Sequence, residues 1–144
     1  MDKSKTNEAL ACFKEGFNCA QSILSTYCEE FGMDKKTAMK IACGFGAGMG
    51  RLQGTCGAVA GAYMLIGLKY GKYLREDEPA KEKTYALIQE FSKRFEDRNK
   101  TTNCRELLGV DLIHGDKQAS QRVKALCPKL VFDAAEILES MLFE

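Results

Sequence analysis

Apolar positions along the chain recur at intervals of three and four residues, which is the spacing of one face of an α-helix. The clearest case is the segment 80–98, where Tyr85, Ile88, Phe91 and Phe95 follow one another along a single face. No stretch of useful length alternates between apolar and polar residues, and only two prolines interrupt the chain. The pattern therefore predicts an all-α fold, a compact helical bundle of about five to seven helices with no sheet.

Residues that favour helix N-termini precede several of these segments. Asn18 is followed three residues later by Gln21, and Asn103 is followed by Glu106, so both pairs predict capping boxes. The predicted elements are a helix ending at Gly16, a helix from Asn18 to Gly32, a helix from Asp34 to Gly44, a glycine-rich loop from Gly44 to Gly54, a helix from its N-cap Thr55 to about Gly71, a helix beginning near Pro79, a helix beginning at Asn103, a loop over 111–116 and a last helix beginning at Pro128.

Length and charge narrow the class of protein. A chain of 144 residues fits a single helical domain, 1–144, that buries a core without covalent links. Its 21 basic and 20 acidic residues are interspersed, which argues against a nucleic-acid-binding surface. The longest apolar stretch, 56–68, is too short to span a bilayer, and the polar N-terminus has no signal-peptide pattern. We expect a soluble cytoplasmic protein.

Cysteine is the residue type that carries chemistry here. The chain has seven cysteines, and in a reducing cytosol cysteines more often indicate metal ligands or redox chemistry than a disulfide framework. No Cys-x-x-Cys motif is present, so the strongest local signature of zinc or thioredoxin-type chemistry is missing. Any site must therefore be assembled from distant parts of the chain.

Four of the seven cysteines fall at predicted helix starts. Three directly follow a capping residue, and the fourth precedes Pro128 and becomes an N-cap if that proline opens the last helix. Unpaired backbone N–H groups and the helix dipole favour a thiolate at such positions, and the thiolate is both the nucleophile and the metal ligand. The remaining cysteines are expected to pack as small hydrophobic residues. The candidate site residues are thus Cys19, Cys56, Cys104 and Cys127, whereas Cys12, Cys28 and Cys43 are assigned to packing.

Three further features of the sequence are candidate parts of a site. The run from Gly44 to Gly54 fits no phosphate-loop motif, but its backbone can form a nest of N–H groups around an anion or a sulfur cluster, with Arg51 supplying charge. The alternative for Arg51 is a surface charge near a turn. Gly57 and Gly61 lie on one side of a helix, which indicates either a crowded site for sulfurs or a close helix crossing without chemistry. His114, the only histidine, is expected to be solvated rather than a ligand or general base.

The segments that carry the four cysteines resemble a known family, the C-GCAxxG-C-C family of putative redox-active proteins. The resemblance covers most of the chain, and the family's four cysteines correspond to the set that helix capping selects. It implies a small, largely helical protein with a redox role. The matching segments are GFNCAQSIL, the Cys-Gly-Ala-x-x-Gly stretch within GFGAGMGRLQGTCGAVAGAYMLIGLKYG, NCRELLG and CPKLVFDAAEIL.

Three functions remain open at this point. Four thiolates suit tetrahedral zinc or an iron–sulfur cluster, and the absence of a tight local ligand pair counts against zinc. The same cysteines can instead exchange disulfides without a metal. The third hypothesis is a structural or partner-binding helical bundle.

A redox centre made of thiolates that hold a metal or cluster for electron transfer is slightly favoured. In that hypothesis Gly57 and Arg51 contact the cofactor beside the four cysteines. A redox partner protein is expected, and the domain can form a homodimer where its helix starts gather.

Overall fold

Every regular element that the structure describes is a helix. The computed structural model describes residues 3–115 and 117–143, and no strand occurs in these ranges. Seven helices have regular geometry, whereas α4 is a single turn in which Ala47 and Gly48 have left-handed backbone angles. The predicted all-α fold is therefore confirmed. The helices are α1 (Thr6–Lys14), α2 (Cys19–Tyr27) with a 3₁₀ turn (Cys28–Phe31), α3 (Lys35–Cys43), α4 (Gly46–Met49), α5 (Gly57–Tyr70), α6 (Glu78–Asn99), α7 (Cys104–Leu108) and α8 (Lys117–Leu142).

Side chains that cap the backbone begin α2 and α3 at the predicted positions. The Asn18 side chain accepts a hydrogen bond from the Gln21 N–H at 2.9 Å, and the Gln21 side chain accepts one from the Asn18 N–H at 3.0 Å. Asp34 caps α3 by accepting from the Thr37 N–H at 3.0 Å. After α2 and its 3₁₀ turn the chain leaves the helix at Gly32, whose φ of +88° favours glycine.

The predicted start of α5 is wrong by one residue. Thr55 is not the N-cap, because it forms an isolated antiparallel bridge with Asn103. Cys56 takes the N-cap position instead, with φ −50° and ψ 133°, and Gly57 is the first helical residue. The cysteine therefore lies just outside the helix rather than in its first turn.

Only one of the two hydrogen bonds of the capping box predicted at α7 is present. The Asn103 side chain accepts from the Glu106 N–H at 2.9 Å, as expected. The Asn103 N–H, however, donates to the Thr101 hydroxyl at 3.0 Å, and the Glu106 side chain bonds that same hydroxyl at 2.7 Å. Thr101 thus takes the place that the box assigns to the Glu106 side chain.

The last helix begins well before the predicted position. It starts at Lys117, so Pro128 lies inside it and Cys127 is not an N-cap. The first-turn preference of proline is outweighed because the preceding stretch has its own apolar face, which packs against the residues around α7. The residues of that face are Ala119, Val123, Leu126 and Cys127. The loop before the helix is irregular over 111–115, and Asp116, the last residue of the predicted loop, lies outside the described residues.

Two apolar clusters meet where the cysteines lie. The main cluster is built around the crossing of α2 and α5, with Phe91 and Phe95 of α6 stacked at 6.3 Å beside it. Gly61 makes this crossing close, since a Cβ there would lie 3.0 Å from the Ala20 carbonyl oxygen. Cys19 and Cys56 belong to the main cluster. The smaller cluster is formed by Cys104, Leu108 and Cys127 with the side chains packed around them.

Helix α5 is the most apolar of the described helices, but it has only 14 residues. An α-helix needs about 20 mostly apolar residues to cross a bilayer. No helix in the described ranges has the length and apolar character needed to span a membrane.

Candidate functional site

The four cysteines selected from the sequence line one cavity of about 560 Å³. Their residues are buried, with between 4% and 8% of the surface exposed. The cavity lies between the two apolar clusters, and most of its other lining is apolar. The structure therefore brings together residues from α2, the N-terminus of α5, α7 and α8, namely Cys19, Cys56, Cys104 and Cys127.

Gly57 makes the room that the Cys19 sulfur occupies. A Cβ at this position would lie 2.5 Å from Cys19 Sγ and 2.8 Å from the Phe45 carbonyl oxygen. Gly61, one turn later, instead allows the backbone of α2 to approach α5. Gly57 thus leaves room for one sulfur, whereas Gly61 leaves room for a helix crossing.

Cys19 and Cys56 interact as a pair, and the pKa values of their two thiols differ. The neighbouring Cys56 thiol and the backbone N–H groups of Ala47, Ala20 and Cys19 itself favour the charged form of Cys19. Their effect outweighs that of burial and lowers the pKa of Cys19 from 9.0 to about 7. The pKa of Cys56 is raised well above its ordinary value by its bond to Cys19, by burial and by the nearby Cys19 charge. When the pair loses one proton, Cys19 therefore carries the negative charge and Cys56 keeps its proton.

The glycine-rich loop supplies one donor to this thiolate. The N–H of Ala47 faces the Cys19 sulfur, and Ala47 has a left-handed backbone with φ +54°. Arg51, the charge predicted to assist such a nest, is exposed and is not among the residues that line the cavity. Its contact with a cofactor stays a prediction.

A short backbone bridge holds Cys104 near the start of α5. The Cys56 N–H donates to the Thr102 carbonyl and the Cys104 N–H donates to the Gly54 carbonyl, each at 2.7 Å. Because α7 has only five residues, this bridge rather than the helix itself fixes where Cys104 lies. Nothing in the local sequence indicates a pairing between segments so far apart.

Gln53 is a buried side chain that sequence reasoning missed. Its amide donates to the Val110 carbonyl at 2.9 Å, and it also approaches Cys104 Sγ at 3.9 Å. Its carbonyl oxygen accepts from the Leu112 N–H at 2.9 Å. Gln53 thus fastens the segment after α7 to the cavity wall. A single glutamine before a glycine gives no sequence signal for this role.

Burial dominates the acidity of the other two cavity thiols. The pKa of Cys104 is raised to about 11 by burial, against a lowering by the Gln53 amide. The pKa of Cys127 is raised to about 12 by burial and then by the charges of Cys19 and Cys104. The expectation that helix starts favour thiolates at all four positions therefore holds for Cys19 alone.

The three cysteines assigned to packing have different environments. Cys28 is fully buried and donates weakly to the Ser25 carbonyl at 3.5 Å, so the prediction is confirmed for it. Cys12 is half-buried and lies 3.8 Å from the Ser25 hydroxyl. Cys43 is exposed at the end of α3, so the prediction is wrong for this residue.

The cavity thiols have the donor chemistry of a zinc or iron–sulfur site, but their spacing does not suit a single ion. Within residues 3–115 and 117–143, no group of three or more His, Cys, Asp or Glu side chains is placed to hold a metal ion. His114 is 82% exposed, bonds Asp111 through Nδ1 at 2.9 Å and lies outside the cavity lining. The side chains would have to rearrange to hold one ion together.

The lowered pKa of Cys19 predicts a pH-dependent stability. Unfolding returns its pKa to about 9, so the unfolded chain binds more protons than the folded one between pH 7 and pH 9. This contribution is present above pH 9 and is lost as the pH falls through 7. We expect the difference in unfolding free energy between the wild type and Cys19→Ser to grow by about 2 kcal/mol from pH 7 to pH 9. Urea denaturation under reducing conditions measures it, and a difference independent of pH would contradict the assignment.

Comparison with known proteins agrees with the resemblance noted in the sequence. The family model described as "Putative redox-active protein (C_GCAxxG_C_C)" matches residues 17–141, which include all four cavity cysteines. No curated protein and no solved structure matches the chain. The match covers most of the sequence, and α1 is the described helix that lies wholly outside it.

Proposed function

We propose, from the premise that the chain belongs to the C_GCAxxG_C_C family, that it is a thiol–disulfide oxidoreductase in which Cys19 is the nucleophile and Cys56 the resolving thiol. The observation that carries this proposal is that Cys19 and Cys56 line one apolar cavity, with the Cys19 sulfur packed against the start of α5 and its pKa lowered by the Cys56 thiol. A thiolate whose pKa lies close to the ambient pH is near the optimum for attack on a disulfide.

The exchange proceeds in two balanced steps. The Cys19 thiolate attacks one sulfur of a substrate disulfide, the substrate S–S bond breaks, and the released sulfur leaves as a thiolate that takes up a proton. Cys56 then loses its proton and attacks Cys19 Sγ, which releases the second substrate sulfur. The substrate gains two electrons and becomes two thiols, while Cys19 and Cys56 form a disulfide. A cytoplasmic dithiol partner protein reduces that disulfide by the same exchange in reverse.

The order of the two steps follows from the charges in the pair. Two of the three causes that raise the pKa of Cys56 are its hydrogen bond to Cys19 and the Cys19 charge. Once Cys19 is in a mixed disulfide it carries no charge, so both causes vanish and the pKa of Cys56 falls. The resolving thiol is thus activated by the first step. Cys104 and Cys127, which hold their protons at neutral pH, are a second thiol pair lining the same cavity.

The proposal is tested by mapping the first disulfide that forms. Fully reduced protein is mixed with a limiting amount of a small disulfide, quenched with acid, alkylated and analysed by mass spectrometry. We expect Cys19–Cys56 to appear first, and Cys56→Ser to accumulate a mixed disulfide on Cys19. A first disulfide that leaves out Cys19, or no disulfide at all, would overturn the proposal.

A second candidate function is an iron–sulfur centre for electron transfer. The observation that favours it is that all four family cysteines line one cavity. Metal content and visible absorbance, measured on wild type and Cys56→Ala purified without oxygen, separate the two functions. Near-stoichiometric iron that is lost in the variant supports the cluster, whereas a colourless, metal-free wild type supports the dithiol.

A further inference from the structure

We propose that the cavity binds small apolar disulfides that carry a carboxylate at the end remote from their sulfurs. The inference deepens the proposed function and rests on it, because it names the class of substrate that the Cys19–Cys56 pair reduces. It is carried by the shape of the cavity, by the nature of its walls and by the position of its charges.

The size and walls of the cavity suit a small apolar molecule. Its volume of about 560 Å³ lies within the range of about 300–1,000 Å³ that is usual for small-molecule sites. Such sites are mainly apolar, with few polar groups that fix the orientation of the ligand. No aspartate or glutamate is among the lining residues of the described cavity. The apolar walls include Phe13, Leu107, Leu112, Val123 and Leu130.

Exposure along the lining separates an inner end from a mouth. All four cysteines are only 4–8% exposed, so their sulfurs, including those of Cys19 and Cys56, lie at the inner end. Phe17 is 39% exposed, and Lys14 and Lys124 are exposed as well, so these residues mark the mouth. A substrate must therefore place its disulfide inside and its other end among these exposed residues.

The charges at the mouth select an anionic end. Lys14 is the last residue of α1 and Lys124 lies in α8, and both contribute to the lining. Within the described parts of the chain, neither ammonium group lies within 4.0 Å of a carboxylate. Two positive charges without a carboxylate partner, above apolar walls, complement a monocarboxylate with an apolar chain. A strongly polar disulfide would instead lose its hydration without finding partners.

The test compares three disulfides as substrates of the reduced protein. Lipoate has a disulfide ring, an apolar chain and a carboxylate, lipoamide lacks the charge, and glutathione disulfide is polar throughout. We expect the second-order rate constant for oxidation of the reduced protein to be about threefold to tenfold higher with lipoate than with lipoamide, since two exposed ion pairs are involved. Glutathione disulfide is expected to be the slowest of the three.

Charge variants measure how much the two lysines at the cavity mouth contribute to the preference for lipoate. In the double variant Lys14→Gln/Lys124→Gln, the rate constant for lipoate should fall to the value that the same variant shows for lipoamide. The matched control is Lys36→Gln/Lys40→Gln, which removes the same charge from exposed positions on α3. The control should retain the preference for lipoate, and its loss there would overturn the proposal by showing that only net charge matters.

Binding of octanoate, which has no sulfur, separates failure of the substrate class from failure of the exchange chemistry. Calorimetry on the reduced protein should show octanoate binding that weakens in Lys14→Gln/Lys124→Gln. If octanoate does not bind and all three disulfides are reduced equally, the substrate class is overturned while the exchange function stands. If octanoate binds but no disulfide is reduced, the exchange fails and this substrate assignment fails with it.

Discussion

Replacing Cys19 by serine is expected to lower the rate of disulfide reduction at pH 7 by about two orders of magnitude. A thiol with a pKa of about 7 is about half ionised at that pH, whereas Cys104, with a pKa of about 11, is ionised in about one molecule in 10⁴. Thiolates of higher pKa are stronger nucleophiles, with a Brønsted slope of about 0.4–0.5, which recovers part of the difference. Cys104 therefore cannot replace Cys19 as the nucleophile.

The measurement is the initial rate with an aromatic disulfide that releases a coloured thiol, in oxygen-free buffer. Cys43→Ser is the matched control, because Cys43 is exposed at the end of α3 and lies outside the cavity. The control should keep the wild-type rate. If Cys43→Ser loses the activity and Cys19→Ser retains it, the reaction takes place on the surface and not in the cavity.

Gly57→Ala is expected to destabilise the fold by about 1–3 kcal/mol and to raise the pKa of Cys19 toward its ordinary value. The added methyl group would lie 2.5 Å from Cys19 Sγ and 2.8 Å from the Phe45 carbonyl oxygen, so the sulfur or the backbone must move. Movement of the sulfur breaks the hydrogen bond from Cys56, which is the largest cause of the lowered pKa. A loss of stability in Gly57→Ala is informative, because alanine is otherwise favoured over glycine in a helix by about 1 kcal/mol.

Gly67→Ala provides the control within the same helix. A Cβ at Gly67 meets no atom within 4 Å, so this variant should be as stable as the wild type or more stable by about 0.5–1 kcal/mol. Urea denaturation gives the stability, and the pH dependence of thiolate absorbance gives the pKa of Cys19. An unshifted titration in Gly57→Ala would show that the sulfur does not depend on the space that this glycine leaves.

Features of the fold that depend on neighbouring residues could be predicted from the sequence. The box of Asn18 and Gln21 needs only residues three apart, and it forms as expected. The start of the last helix could not be placed, because the preference of proline for a first turn is weaker than the apolar face that continues α8 through Pro128. The role of Thr55 could not be predicted either, because it forms a bridge with Asn103, which is distant in the sequence, and does not cap α5.

The four cysteines of the candidate site could be chosen from the sequence, but their electrostatics and the position of Arg51 outside the cavity lining could not. Helix capping and family resemblance select the same cysteines, and the structure places all four around one cavity. Which of them ionises depends on burial and on hydrogen bonds between separate segments, as for Cys19 with the Ala47 N–H. Gln53 and the lysines at the mouth, Lys14 and Lys124, have no local pattern that distinguishes them from surface residues. The predicted redox partner and homodimer stay predictions.

The bridge between Thr55 and Asn103 also bears on the order in which the chain folds. Gln53 and Cys104, beside the two ends of this bridge, are 51 residues apart in the sequence, so the bridge closes a long loop. Contacts of high sequence separation form only after the entropy of loop closure has been overcome. Cys19 and Cys56 both precede Cys104 in the sequence, so they leave the ribosome first. During synthesis, the proposed nucleophilic pair is therefore exposed to solvent before the wall that will enclose it has been made.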